Sequence, residues 1–309
     1  MRFEITTLGT GAALPARGRY PSAQLLNVHE HLYLIDCGEG TQERLRQVEV
    51  NFNRIDRILI SHLHGDHYLG LMGLISSMHL QGRLTELHVH GPARLKEVID
   101  LQLNVSQTYL RYPLKVHVVP QESGSLIFED AHVKVSALKL KHRIPTSGFL
   151  VREKQALRKL RADKLDLIPH FARNTVKGGG DLCMEDGTVI PNGDLTFDPP
   201  PSRSYAYCSD TAYAPELVEH LQGVDMLYHE ATFTEQLAAR AKETFHSTAR
   251  QAAMIARDAN VGTLLLGHFS SRYKDERVLL EEALPIFPNS VLSNEGATFK
   301  VDQRSSVQN

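Results

Sequence analysis

The sequence has few of the features that mark secreted, membrane or disulfide-stabilised proteins. Its 309 residues include three cysteines, Cys37, Cys183 and Cys208, and an odd number without a CxxC spacing argues against a disulfide framework or a thiolate zinc site. The longest apolar run, residues 69–78, contains Gly and Ser and is shorter than the ~20 residues that cross a bilayer. The first residues do not resemble a signal peptide. We therefore expect a cytoplasmic protein without membrane contact.

Tryptophan is absent, and the net charge is close to zero. With 34 Lys and Arg against 36 Asp and Glu, the formal charge is −2, so any grip on nucleic acid requires a local basic patch. Histidine is the residue in excess, with 16 copies. Because imidazole binds metals and carries protons near neutral pH, this composition suggests metal or acid–base chemistry without deciding between them.

The hydrophobic pattern alternates between short β-branched runs and segments of helical periodicity, which predicts an α/β architecture. Strands are predicted at residues 32–36, 57–61, 87–90, 133–139, 205–209, 226–229 and 263–267. Helices are predicted at residues 42–47, 93–103, 234–242, 248–259 and 275–284. We expect a single domain over residues 1–309.

One stretch, residues 152–202, interrupts this pattern. Apolar periodicity weakens there and Gly and Pro cluster, so we predict an insertion within the domain. Residues 152–177 hold eight Lys or Arg against three Asp or Glu, a net charge of +5. Taken alone, such a run is more often a solvated surface than a binding site, so both interpretations stay open at this point.

A cluster of metal-binding residue types follows the predicted strand at 57–61. His62, His64, Asp66 and His67 lie within six residues, and imidazole and carboxylate are the donors that zinc accepts when thiolates are absent. If residues 62 and 64 share one face of the strand end while 66 and 67 turn away, the run can serve two ions. A loop that merely happens to be rich in histidine would not be expected to show this ordered spacing.

Two metal ions need more than four ligands, and three further donors stand where predicted strands end. His142, Asp210 and His268 each follow one of these strands closely. Loops at strand ends are the usual position of site residues in α/β sheets. These three residues are therefore the predicted downstream ligands.

The His-x-His-x-Asp-His run with these downstream residues resembles the metallo-β-lactamase superfamily and, within it, the ribonuclease Z family. The narrower resemblance spans nearly the whole chain, and its most informative block is His-Glu-Ala-Thr, which most hydrolases of the superfamily lack. The resemblance rests on Gly9-Thr-Gly11, Asp36-Cys-Gly-Glu39, Ser209-Asp-Thr211, His229-Glu-Ala-Thr232, His246-Ser-Thr248 and Gly267-His-Phe-Ser-Ser-Arg272.

The resemblance implies the metallo-β-lactamase fold, a four-layer αβ/βα sandwich with two Zn²⁺ ions between two central sheets. Other divalent transition metals also suit such donors. One ion would be held by His62, His64 and His142, the other by Asp66, His67 and His268, and Asp210 would bridge them.

The resemblance also implies a reaction. Members of the family cleave precursor transfer RNA (tRNA) after the discriminator nucleotide, leaving a 3′-hydroxyl on the tRNA and a 5′-phosphate on the trailer. Asp66 is expected to orient or deprotonate the attacking water, and Glu230 with His246 to protonate the leaving oxygen. Taken singly, Glu230 could instead cap a nearby helix, and His246 could be an ordinary residue at a helix start.

Substrate contacts follow from the same resemblance. Members of the family bind tRNA with an inserted arm, and residues 152–202 correspond to that arm. This correspondence favours RNA binding as the role of the basic run, because Lys and Arg can neutralise phosphates and the protein can recognise the shape of a folded RNA without contacting its bases. Homodimers are also typical of the family. The predicted contacts in the arm are Arg158, Lys159, Arg161 and Lys164. Arg272 is a further predicted contact, for which a surface salt bridge is the alternative. Arg17 and Arg19 are also predicted; their segment, Pro15-Ala-Arg-Gly-Arg-Tyr20, keeps the Pro and Arg of the family's Pro-x-Lys-x-Arg-Asn loop but lacks its Lys and Asn.

Two other functions stay open at this point. A small-molecule phosphodiesterase or other hydrolase of the same fold would need the metal site but not the arm. A non-catalytic RNA-binding module would need the arm but no intact set of ligands, whereas all seven ligand positions carry suitable residues.

Overall fold

The computed structural model describes residues 2–303, so Met1 and residues 304–309, the ends of the predicted domain, lie outside the described residues. Two compact units divide the chain. The first comprises residues 2–152 and 203–303, and the second is Glu153–Ser202. The predicted insertion at 152–202 thus coincides with the second unit to within one residue.

The strands of the described residues are numbered in chain order. They are β1 (Phe3–Gly9), β2 (Ala23–Val28), β3 (His31–Ile35), β4 (Ile55–Leu59), β5 (Leu87–Gly91), β6 (Leu114–Val118), β7 (Leu126–Glu129), β8 (Val133–Lys139), β9 (Ser147–Glu153), β10 (Lys159–Leu160), β11 (Leu182–Cys183), β12 (Val189–Ile190), β13 (Thr196–Phe197), β14 (Ser204–Cys208), β15 (Met226–Glu230), β16 (Thr263–Gly267), β17 (Ser290–Leu292) and β18 (Thr298–Lys300).

The helices are short. They are α1 (Thr41–Gln47), α2 (Gly65–Tyr68), α3 (Leu71–Leu80), α4 (Leu95–Val105), α5 (Arg173–Lys177), α6 (Asn192–Leu195), α7 (Leu217–Leu221), α8 (Ala238–Thr244), α9 (Ala249–Asp258) and α10 (Arg277–Ala283), with 3-10 helices at Phe52–Arg54, Ala162–Leu167, His170–Ala172 and Glu235–Leu237. Within residues 2–303, no helix has both the length and the apolar character needed to cross a bilayer.

Two seven-stranded sheets form the centre of the first unit. Their strand orders are β18-β1-β2-β3-β4-β5-β6 and β17-β16-β15-β14-β9-β8-β7. Strands β3 to β6 run parallel in the first sheet, as do β14 to β17 in the second. Parallel strands bring their carboxyl ends to one edge of a sheet, where ligands usually bind.

Buried apolar side chains lie in three layers around these sheets. Between the sheets, Phe3 and Tyr33 of the first pack with Phe149 and Tyr228 of the second. Side chains of α1, α3 and α4 cover the outer face of the first sheet, and those of α7, α9 and α10 cover the second. A fully buried residue of this size contributes about 1.5–3 kcal/mol of transfer free energy. The result is the four-layer αβ/βα sandwich that the family resemblance implied.

Helix α9 illustrates how local sequence builds a layer. Thr248 caps its start, and with Gln251 it forms a reciprocal capping box. Ala252, Ala253 and Ala256 are all buried, and such small side chains let a helix backbone lie close to a sheet. The helix therefore packs tightly against β15 and β16.

All seven predicted strands and all five predicted helices are present, the strands at 133–139 and 263–267 with their predicted ends and the others with shifted ends, but several strands were not predicted. The edge strands β6 and β7 are short and mostly exposed; β7 does not alternate, and the apolar alternation of β6 covers only five residues. The helix predicted at 234–242 begins instead as the 3-10 helix Glu235–Leu237 and continues as α8.

The second unit, Glu153–Ser202, has a small core of its own. Ile168, Val176, Leu182 and Leu195 are buried together. Two short antiparallel pairs, β10 with β13 and β11 with β12, frame this core. A segment whose sequence pattern looked irregular is therefore folded.

Candidate metal centre

The seven predicted ligands come together from four chain segments. His62 and His64 follow β4, and Asp66 and His67 belong to α2. The remaining three, His142, Asp210 and His268, follow β8, β14 and β16. Their donor atoms form two groups in which all atoms lie within 4.8 Å of one another, namely His62 with His64, His142 and Asp210, and Asp66 with His67 and His268.

Three imidazoles face one another in the first group. Nδ1 of His64 lies 3.0 Å from Nε2 of His62 and 3.1 Å from Nε2 of His142. Oδ2 of Asp210 lies 3.7 Å from Nε2 of His62 and 3.6 Å from Nε2 of His142. Ligands of a tetrahedral zinc ion at about 2.0 Å would be roughly 3.3 Å apart, so these spacings suit a shared cation.

The second group is built around the other oxygen of Asp210. Oδ1 lies 3.2 Å from Nε2 of His67 and 3.1 Å from Nε2 of His268. Both nitrogens are also 3.5 Å from Oδ2 of Asp66. Asp210 therefore turns one oxygen towards each group, which is the arrangement expected of a bridging ligand.

A further observation supports metal binding by these donors. Within residues 2–303, the buried Nε2 atoms of His67 and His268 make no hydrogen bond of normal geometry, although Oδ1 of Asp210 lies 3.2 Å and 3.1 Å from them. A buried polar atom without a partner costs free energy, and a cation would remove that cost. The hard oxygen and borderline nitrogen donors match zinc and similar divalent transition metals.

Hydrogen bonds from outside the groups orient the imidazoles. Oδ2 of Asp36 lies 2.7 Å from Nδ1 of His67 and also accepts from Ser61 Oγ and Tyr207 Oη. The backbone carbonyl of Phe245 lies 2.9 Å from Nδ1 of His142. Such contacts set which ring nitrogen carries the proton and leave Nε2 for the metal.

Gly38 makes room for α2. A Cβ atom at this position would lie 2.5 Å from the backbone oxygen of Asp66 and 2.6 Å from Cβ of Pro21. Any larger residue would therefore push the start of α2 away from the loop that follows β3. This contact explains the glycine of the Asp36-Cys-Gly-Glu39 block.

The buried carboxylate of Glu230, at the end of β15, holds His246 beside both groups, with its ring centroid 5.2 Å from that of His142 and 5.5 Å from that of His268. Nδ1 of His246 lies 2.8 Å from Oε1 of Glu230, which leaves Nε2 4.0 Å from Oδ2 of Asp210. Glu230 also accepts from the backbone N–H of Thr211 and the hydroxyl of Thr232. Among the described residues, no side chain caps the start of the 3-10 helix Glu235–Leu237, so Glu230 is not the cap that was its alternative, and His246 lies two residues before Thr248, the cap of α9.

The electrostatic environment sets the charge of these groups. Burial, together with the neighbouring His67, lowers the pKa of His62 well below its usual value, so its ring is neutral and able to bind metal. Burial alone would raise the pKa of Asp210, but His268 and His67 outweigh it and hold this pKa well below its ordinary value. Burial likewise opposes protonation of His246, yet the Glu230 carboxylate raises the pKa of His246 to about 9.

A cleft of about 480 Å³ opens onto the donors, and three arginines line it. The guanidinium of Arg272 lies 4.8 Å from the ring centroid of Phe233, and its Nε donates to Ser270. Arg143 and Arg240 were not predicted. A larger groove of about 730 Å³ beside α1 contains none of the metal-donor groups found in residues 2–303, so cavity size does not mark the site.

Two predicted substrate contacts, Arg17 and Arg19, bond to the protein itself. Nε of Arg17 donates to the backbone oxygen of Ser271 at 2.6 Å. The guanidinium of Arg19 makes two contacts of 2.7 Å with the carboxylate of Glu276. Arg17 is exposed, whereas Arg19 is mostly buried.

The predicted contacts in the second unit differ in exposure. Lys159 is exposed. Arg158 is paired with Asp198 at 2.5 Å and donates to Thr196. Arg161 lies 4.3 Å from the ring centroid of Phe197, and with Lys164 it lines a pocket of about 470 Å³.

Several residues of the site were missed by the sequence analysis. Asp36 and Thr232 stand in blocks that carried the family resemblance, so a signal existed although no role was assigned to either. Arg143 directly follows a predicted ligand. The backbone N–H of Ala13, which donates to Oδ2 of Asp66 at 2.7 Å, left no signal because every residue except proline has an N–H group.

Known proteins resemble this chain, one family model over its first half and curated relatives over nearly its whole length. Residues 3–157 match the family model described as Anti-Pycsar protein Apyc1, a stretch that ends before Asp210, Glu230, His246 and His268. A protein named Ribonuclease Z from Bacteroides fragilis is 47% identical over 296 residues, which cover 95% of this chain and 97% of the relative. The chain belongs to the ribonuclease Z family.

Solved structures agree with this membership. The short form of human tRNase Z matches with a TM-score of 0.72 and 27% identity, covering 97% of this chain and 99% of that one. The metallo-β-lactamase fold protein YhfI from Bacillus subtilis matches with a TM-score of 0.70 and 17% identity, covering 97% and 100%, which shows the fold. The predicted fold is confirmed, and so is the predicted class of enzyme, a metal-dependent hydrolase of the ribonuclease Z family.

Proposed function

We propose that this chain is the endonuclease that removes 3′ trailers from precursor tRNA. It cuts after the discriminator nucleotide and leaves a 3′-hydroxyl on the tRNA and a 5′-phosphate on the trailer. The observation that carries this proposal is the Glu230–His246 pair beside the metal donors, in a chain whose relatives of similar length are named Ribonuclease Z. A ribose oxygen is a poor leaving group, and a positioned proton donor assists its departure.

The metals of this proposal are two Zn²⁺ ions. His62, His64 and His142 would hold one, Asp66, His67 and His268 the other, and Asp210 both. When bound, such ions act as Lewis acids that acidify water and offset charge on phosphoryl oxygens. The buried Nε2 atoms of His67 and His268, which make no hydrogen bond of normal geometry among the described residues, support this assignment.

The chain's own residues supply orientation and the proton. The carboxylate of Asp66 orients the attacking water towards phosphorus. As the bond between phosphorus and the 3′-oxygen breaks, Nε2 of His246 gives its proton to that oxygen, and the phosphate remains on the trailer. Glu230 keeps Nδ1 of His246 protonated and the ring in place, as a buried carboxylate does for other catalytic histidines.

Substrate binding is proposed for the cleft and the second unit. Arg272 and Arg143 line the cleft, where planar guanidinium groups pair with phosphate oxygens. Within the Glu153–Ser202 arm, the proposed contacts with the tRNA backbone are Lys159 and Lys164 together with Arg158 and Arg161. Arg17 stays in this set as an exposed cation.

A homodimer is proposed from exposed apolar side chains on the first unit. Leu101 and Val105 lie four residues apart on α4 and are 66% and 76% exposed, and Tyr109 just beyond the helix is 85% exposed. Large exposed apolar groups that recur on one helix face mark interaction surfaces. Sedimentation of the Leu101→Glu, Val105→Lys double variant should give a monomer. We also propose that the enzyme acts in the cytoplasm.

The experiment that tests the function uses zinc-loaded protein and a 3′-extended precursor tRNA, with the cut position and end groups as readout. A matched variant lacks residues 153–202. Arg152 pairs with Ser204 across β9 and β14, so an inserted Asn-Gly pair together with Arg203 forms a three-residue loop that closes the hairpin.

The variant should lose cleavage of precursor tRNA but retain hydrolysis of bis(p-nitrophenyl) phosphate, which also shows that it is folded. A small-molecule phosphodiesterase would not need the arm, so unchanged cleavage of precursor tRNA by the variant would contradict the proposal. A 3′-phosphate on the tRNA would contradict it as well.

A further inference from the structure

The loop of residues 10–20, between β1 and β2, is bonded to the chain that follows the ligand His268. The N–H of Phe269 donates to the backbone oxygen of Thr10 at 2.8 Å, and the N–H of Ala12 donates back to Phe269 at 3.0 Å. Glu295 accepts from the N–H groups of Thr10 and Tyr20. Both ends of the loop are therefore anchored.

Arg19 joins this loop to the segment around Glu276. Two of its guanidinium nitrogens contact the two carboxylate oxygens of Glu276 at 2.7 Å, and a third donates to Oγ1 of Thr10 at 2.8 Å. The guanidinium also lies 5.1 Å from the ring centroid of Phe269. The Arg19 and Glu276 side chains are 21% and 15% exposed, so this paired-nitrogen geometry is shielded from water and well defined.

The same loop presents one N–H group to the metal centre. Ala13 has a φ of 69°, a left-handed conformation that is uncommon outside glycine and persists when its surroundings impose it. In this conformation its N–H donates to Oδ2 of Asp66 at 2.7 Å. That oxygen is the one facing His67 and His268.

We propose that Arg19 and Glu276 are a positioning pair that holds the 10–20 loop so that the Ala13 N–H fixes the Asp66 carboxylate. This proposal rests on the function proposed above and gives Arg19 a role other than substrate contact. The guanidinium that would meet a phosphate is already engaged by Glu276, Thr10 and Phe269. The Arg19–Glu276 pair affects the reaction indirectly, by orienting Asp66, as residues that hydrogen-bond to a metal ligand orient that ligand.

The two roles for Arg19 predict different responses. A phosphate contact would raise KM for precursor tRNA when Arg19 is removed, would weaken the salt dependence of binding, and would make Glu276 dispensable. A positioning pair makes Arg19 and Glu276 equivalent, because removing either one releases the loop.

The test is a double-mutant cycle with Arg19→Ala, Glu276→Ala and the combined variant. For each protein, kcat and KM on precursor tRNA are measured, and zinc affinity is measured separately by competition with a chromophoric chelator. Arg277→Ala is the matched control, since it breaks a neighbouring arginine–carboxylate pair that is largely exposed.

Each single variant should lose about 10- to 100-fold in kcat and weaken the more labile zinc site by a similar factor, with KM unchanged and the double variant no worse than either single one. Arg19→Lys should recover only part of the lost kcat and zinc affinity, because a lysine ammonium cannot pair with both carboxylate oxygens of Glu276. The proposal would be overturned if Arg19→Ala raised KM for precursor tRNA while Glu276→Ala kept the kcat and KM of the parent. The zinc titration needs no RNA, so failure of the parent to cut precursor tRNA would refute the function while leaving this test intact.

Discussion

Nδ1 of His246 lies 2.8 Å from Oε1 of Glu230, a carboxylate with no exposed surface at the end of β15. A buried carboxylate is stable only when paired or hydrogen-bonded, and His246 with the two threonines around it provides those partners. The pair directs the other ring nitrogen of His246 towards Asp210 and the metal donors.

Replacing His246 by Ala should slow cleavage without releasing metal. General-acid assistance is worth roughly 10²- to 10⁴-fold, so kcat on precursor tRNA should fall by that range while bound zinc, measured by elemental analysis, stays at the parent's value. Hydrolysis of bis(p-nitrophenyl) phosphate should fall much less, because nitrophenolate leaves without a proton. An equal loss on both substrates would argue against the proton-donor role.

The pH dependence of the reaction should report the charge on Glu230. His246 must be protonated to donate, so the rate falls as pH rises through its pKa. The Glu230 carboxylate raises that pKa to about 9 against the opposing effect of burial, and bound cations would lower it, so the alkaline limb of kcat/KM should fall at or below pH 9. In Glu230→Gln the limb should move to lower pH. A limb that stays in place would show that another group controls it.

Metal removal should destabilise the first unit, and Asp210 should control both ions. A ligand present at 100 times its Kd stabilises the folded state by about 2.7 kcal/mol, so chelation should lower the melting temperature and zinc should restore it. Asp210→Ala should abolish this zinc-dependent shift, because one oxygen faces each donor group. Retention of one tightly bound zinc in that variant would contradict the bridging role.

Asp36 should act through His67. Replacing Asp36 by Asn weakens the acceptor for Nδ1 of His67, and losses of 10- to 100-fold in metal affinity are typical of such changes. Tyr207→Phe is the matched control, because it removes a different hydrogen bond to the same carboxylate and leaves the contact with His67. The control should lose much less affinity, as measured by chelator competition. Equal losses would mean that Asp36 serves packing between the sheets instead.

The sequence by itself determined which residue types form the site. The 62–67 run is local, and the positions of His142, Asp210 and His268 follow from the rule that functional side chains stand at strand ends. Both depend on short stretches of chain and on strands apolar enough to recognise. The edge strands β6 and β7 were not predicted because both are short and mostly exposed, and β7 has no apolar alternation.

Only the tertiary structure decided how these residues are oriented and who their partners are. Asp36 meets His67 from another loop and Tyr207 from the opposite sheet, contacts that depend on which strands become neighbours. Arg19 is a predicted substrate contact on sequence alone, and only the fold brings Glu276, more than 250 residues away in the chain, against its guanidinium. Hydrogen bonds act over about 3 Å in space, and no pattern in a sequence specifies such distances between remote segments.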